Sequence, residues 1–181
     1  MAQPARSRPS ASPAERLGVD PAHLAESNIN PSTGLATDFL NHFNEAIMLL
    51  EMMLKAPECK EDFLAWQPMS YREHFAASRL KQRNLAIAAY DAADPVVRAK
   101  VERIFDNINS ILIATRDGMK LGLSPQTIAD LALEAAWCLK PMVAEAGALI
   151  NDEPPEASAQ ATVQAAVDAL FDDEVSAAIA T

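Results

Sequence analysis

Asp94-Pro95 opens the stretch that most limits what this chain can become. An Asp side chain at a helix N-cap accepts from the free amides of the first turn. Pro in the first helical position has its φ preset and no amide to leave unpaired. Val97, Val101, Ile104, Ile108, Ile111, Leu112 and Thr115 follow at steps of three and four. At about 100° per residue that spacing lines one face of a helix, whereas a strand would scatter the same residues over both faces. The spacing predicts a helix from Asp94 to Gly118–Gly122.

The same logic recurs. Ser124-Pro125 repeats the start signal, with Ile128, Ala132, Ala135, Leu139, Met142, Ala146 and Leu149 behind it. Pro141 lies inside that helix and cannot donate to the carbonyl of Trp137, so a kink is expected there. Ser70-Tyr-Arg-Glu73 is a capping box that opens a second long helix ending near Ala93. Its apolar residues Phe75, Leu80, Leu85, Ile87 and Tyr90 share no narrow stripe, and Arg79, Lys81 and Arg83 interrupt them. The first long helix runs from Gly34 to Lys55 on Leu35, Phe39, Phe43, Ile47 and Leu50, stopped by Pro57. Glu58 to Trp66 forms a short extra helix. Four long apolar stripes with short connections predict an all-α fold, an antiparallel four-helix bundle.

The domain reading is a bundle at residues 33–150 between two tails. Residues 1–32 are rich in Pro, Ser, Ala and Arg, lack hydrophobic clusters, and are expected to be disordered. Residues 151–181 begin with the linker around Pro154-Pro155. They continue as an amphipathic helix over Ala159–Ala180, with Val163, Val167, Leu170, Phe171, Val175 and Ile179 on one side. That last segment carries seven acids and no base, against a near-balance of charge elsewhere, so the net charge of −10 is mostly a property of the tail. No basic cluster exists to neutralise phosphates, which argues against a nucleic-acid partner. Two cysteines without Cys-x-x-Cys spacing and the lack of a secretory h-region or an 18-residue apolar run point to a cytoplasmic protein that does not engage a membrane.

Two constellations could carry function. Asp38, His42 and Glu45, spaced i, i+4 and i, i+3, would be neighbours on one edge of the first helix. Imidazole with carboxylates is a ligand set for iron, manganese or zinc, and His74 of the second helix could complete it. The alternative expectation is therefore a metal-binding bundle, of an oxidoreductase-like or metal-sensing kind. Against it, no helix carries Glu-x-x-His, and there are only three histidines. Asp38 and Glu45 flanking His42 at a helix seam is the plainer account.

The second constellation is Gln164-Ala-Ala-Val167-Asp168-Ala-Leu170-Phe171-Asp172. Over these nine residues it resembles the Gln-x-x-(Val/Ile)-Asp-x-Leu-Leu peptides of the chemotaxis phosphatase and the flagellar switch protein, amphipathic helices that dock on a response regulator. The resemblance implies Val167, Leu170 and Phe171 as apolar anchors and Asp168 as a polar contact, with Val163 on the same side. The residues upstream show nothing of that phosphatase's catalytic region. Independently of the resemblance, an acidic amphipathic helix on a Pro-rich leash suits helix-in-groove docking, or packing on its own bundle.

No nucleophile elbow, phosphate-cradling glycine loop, zincin helix or kinase signature occurs. The leading expectation is thus a non-enzymatic helical interaction or regulatory module, with no cofactor, that binds a protein partner. A homodimer is also expected, because Ala on much of the core-facing side of the fourth long helix and apolar residues on more than one side of the second together leave a stripe for a second copy.

Overall fold

The computed structural model describes residues 11–153. Residues 1–10 of the expected N-terminal tail lie outside them. So does the expected C-terminal helix with Val163, Val167, Asp168, Leu170 and Phe171. The described residues are all-α: eight α-helices, one 3-10 turn and no strand. The helices are α1 Pro13–Leu17, α2 Pro21–Glu26, α3 Leu40–Met52, α4 Cys59–Ala65, α5 Tyr71–Ala77, α6 Arg83–Ala92, α7 Pro95–Met119 and α8 Pro125–Ile150.

The start signals act as their chemistry requires. Asp94 Oδ1 accepts from the Val96 amide at 2.8 Å, and Ser124 Oγ from the Thr127 amide at 3.1 Å. Ser70 and Glu73 bond reciprocally. α7 buries Val101, Ile104, Phe105, Ile108, Leu112, Thr115 and Met119. α8 runs unbroken through Pro141 and packs on both α3 and α7. Its buried face is largely alanine (Ala132, Ala135, Ala136, Ala146), which lets both neighbours come close. α3 runs antiparallel to α8: Leu40 lies near Gly147, Glu51 is ion-paired with Lys140, and Leu54 shares a hollow with Ile128.

The expected second long helix is two helices. α5 ends at Ala77, where the backbone of the capping Ser78 turns extended, and α6 begins at Arg83. Arg79, Leu80 and Lys81 offer no buried stripe to continue the first helix, and Leu80 is exposed. The break lets α6 fold back, so that the rings of Tyr71 and Tyr90 stack at 4.3 Å. Three long helices and a hairpin of short ones therefore stand where four long helices were expected.

Residues 11–32 correct the expectation of a disordered tail. Pro13 and Pro21 are helix starters: Ser12 caps α1 in a capping box with Glu15, and Asp20 caps α2. Ala14, Leu24 and Ile29 are buried in the common core. Arg16 donates to the carbonyls of Ala92 and Ala93 at the end of α6. Further on, Gly34 has φ +74°, and a Cβ there would meet the Ala89 carbonyl oxygen at 2.6 Å. Thr33 Oγ1 donates to the Ile150 carbonyl at 2.7 Å, and Tyr71 OH accepts from the Ala36 amide at 2.9 Å. The segment is a strap across α6 and the end of α8. Few but fully buried apolar side chains and satisfied backbone groups offset its ordering entropy.

Candidate functional site

The first long helix begins later than its apolar spacing suggested. Thr37–Phe39 is a 3-10 turn, and α3 starts at Leu40. Asp38 therefore does not follow α-helical geometry, and the i, i+4 relation to His42 fails. Asp38 Oδ2 instead accepts from Asn28 Nδ2 at 2.6 Å, reaching back to the strap. Glu45 is exposed on the outer side of α3. Among the described residues no group of three or more His, Cys, Asp or Glu side chains could hold a metal ion. The set Asp38, His42, Glu45 and His74 is thus not assembled as a metal centre, and the donors present do not fit a divalent ion.

His42 and His74 do come together, with ring centroids 6.1 Å apart, inside an aromatic cluster. His42 is only 7% exposed and stacks on Trp66 at 4.6 Å. Phe39 touches Phe43, Tyr71, His74 and Phe105. Trp66 Nε1 donates to the His42 carbonyl at 3.3 Å, and Arg116 of α7 donates to the Trp66 carbonyl at 3.3 Å. The cluster thereby joins α3, the end of α4, α5 and α7. Burial lowers the pKa of His42 below its usual value, and His74 beside it adds to the fall, while a hydrogen bond with the Gln67 backbone opposes both. Burial also lowers His74, with Asp38 acting the other way. Both imidazoles are held neutral in a largely apolar setting, the arrangement of core histidines. His42 Nε2, Asn109 Oδ1 and Arg116 Nε are buried without hydrogen-bond partners.

The surface tells a different story along α8. A hollow of about 510 Å³ is lined by Glu51 of α3 and by Asp130, Leu133, Glu134, Ala136, Trp137 and Lys140 of α8. A second, of about 430 Å³, precedes it along α8, where Met53, Leu54 and Lys60 meet Leu123, Pro125 and Ile128. Trp137 is 79% exposed and Leu133 53%. Met48 and Met52, four residues apart on α3, are also exposed. The Glu51–Lys140 ion pair spans the two helices beside them. The result is an apolar trough with a charged rim, alongside helices whose other faces form the core. Sequence reasoning missed it, although Leu133 and Trp137 are spaced i, i+4 away from the Ala132/Ala135/Leu139 stripe, and that offset was a readable signal.

Among the described residues, no helix is long and apolar enough to cross a membrane. No protein-family model, curated protein or solved structure matches this chain.

Proposed function

We propose that this protein is a non-enzymatic cytoplasmic module that holds an amphipathic helix of a protein partner in the trough between α3 and α8. The observation that carries the reading is Trp137, 79% exposed beside Leu133 on a helix that buries its opposite face. An indole left in water forgoes on the order of 3 kcal/mol of burial, an expense that large exposed apolar patches usually recover at an interface. The charged rim of Glu51, Asp130, Glu134 and Lys140 confines the contact to one groove. The free Cys59 and Cys138 are in keeping with a reducing compartment.

The test is quantitative. A partner captured on the full-length chain is purified and titrated against wild type, Trp137→Ala and Val96→Ala. The expected result is a loss of about thirtyfold in affinity for Trp137→Ala, the size of an interface hot spot, and no change for exposed Val96 on α7. Equal affinities for wild type and Trp137→Ala would refute the assignment of the trough.

A further inference from the structure

We infer that the helix held in the trough is α8 of a second copy of this chain, laid antiparallel about a two-fold axis level with Ala135. This rests on the trough being the binding surface, and it names the occupant. At about 100° per residue, Gln126, Asp130, Leu133, Trp137, Lys140 and Ala144 fall within about 40° of one line along the outer side of α8. All six are exposed. A two-fold contact carries each residue onto its mate and the mate back onto it, so the patch must match its own reverse. This stripe does. Leu133 and Trp137, Asp130 and Lys140, and Gln126 and Ala144 stand at equal distances on either side of Ala135. Turned end for end on itself, the stripe sets Leu133 against Trp137 of the second copy, and Asp130 against Lys140 of the second copy, each contact occurring twice.

Charge selects the direction. A parallel pair would face Asp130 with Asp130 and Lys140 with Lys140, whereas the antiparallel pair puts opposite signs together at both ends. Both groups are placed to take up that contact. Among the described residues Asp130 forms no ion pair, and its carboxylate accepts from Gln126 Nε2 at 2.8 Å. Lys140 is paired with Glu51, and an ammonium carries three N–H donors, so it can serve Asp130 of the second copy as well. Glu134 stands about 80° from the line of the stripe, and its charge stays in water. Between the ends, two Leu133 and two Trp137 side chains cover one another, and the hollow of about 510 Å³ beside them takes part of the opposing indole. An indole that is 79% exposed in a single copy is thereby buried.

Sedimentation velocity of the full-length chain, from low to high micromolar, should show the mass rising to that of two copies. Asp130→Lys faces lysine with lysine at both ends, Lys140→Asp faces acid with acid, and each should dimerise about tenfold more weakly. An equimolar mixture of the two should recover the wild-type affinity, because the mixed pair again has one Lys and one Asp at each end. Such recovery reports the pairing across the axis and not the stability of α8. If Lys140→Asp beside Glu51 lowers the helical signal, Glu51→Gln/Lys140→Asp takes its place. Acrylamide quenching of Trp137 should fall as the dimer forms, with Trp66 buried throughout. A single-copy mass at every concentration would overturn the inference. So would undiminished dimerisation of both charge variants, or a mixture no tighter than its components. A chain that stays single while its captured partner loses affinity for Trp137→Ala keeps the trough and loses only this occupant.

Discussion

Gly34→Ala measures whether the strap is truly part of the fold. Gly34 sits at φ +74°, a conformation that costs an L-residue about 1–2 kcal/mol. The new Cβ would lie 2.6 Å from the Ala89 carbonyl oxygen and 2.9 Å from the Pro13 Cβ. Neither atom is the loose end of a flexible side chain, so α6 and the strap must separate, an overpacking cost of about 1–3 kcal/mol. The stiffer unfolded chain returns about 0.4–1 kcal/mol. The net expectation is a loss of about 2–4 kcal/mol. Gly18 provides the internal reference, since it has φ +64° but nothing within 4 Å of its would-be Cβ. Gly18→Ala should therefore show the backbone cost alone. Urea unfolding followed by circular dichroism, at unchanged slope, gives both values. Equal losses in the two variants would mean that the strap does not press on α6, and the packing argument would fail.

Three further expectations follow from the interior. The depressed His42 and His74 contribute stability that is whole above pH 6.5, where the unfolded chain is also neutral, and is lost as pH falls through the lower folded values. Urea melts at neutral and mildly acid pH should show this decline, and His42→Phe should flatten it; an unchanged pH slope in the variant would count against the assignment. The chain's two tyrosines, Tyr71 and Tyr90, are both raised well above 10, chiefly by burial, with Glu102 accepting a hydrogen bond from the Tyr90 hydroxyl. A 295 nm titration should accordingly show no phenolate step near pH 10 while the fold persists, and the stability tied to the neutral phenols disappears only as pH climbs toward their folded values. Leu112→Ala, at a fully buried position on α7, should cost about 2–5 kcal/mol in the same urea assay, and a loss below 1 kcal/mol would contradict its place in the core.

What the sequence disclosed and what it hid divide by distance along the chain. Asp94, Ser124 and Ser70 cap amides two or three residues away, so residue type and spacing sufficed to place them. The stripe of α7 was equally legible, being a property of one helix. The strap was not, because Arg16, Thr33 and Gly34 are held by residues far downstream, and a Pro/Ser/Ala composition looks the same whether or not such partners exist. The candidate metal edge failed for a local reason. One 3-10 turn took Asp38 out of helical phase, and rotation about the helix left Glu45 in solvent while His42 went inward. The trough lay between two helices, and its depth depends on how α3 and α8 meet. Only the out-of-stripe pair Leu133 and Trp137 announced it.

The bond from Thr33 to the Ile150 carbonyl joins residues 117 positions apart. Its partner is one of the last groups of the described residues to be synthesised. During translation, at about 5–20 residues per second, residues 11–36 emerge first and wait several seconds before α8 is complete. The Thr33 end of the strap cannot be fastened until then, although Tyr71, Ala89 and Ala92, which hold the rest of it, emerge earlier, so this one bond belongs late in the order of folding. By the same token, contacts formed after the rate-limiting barrier govern how fast the molecule comes apart. A substitution such as Thr33→Val should accordingly speed unfolding while leaving the folding rate nearly untouched.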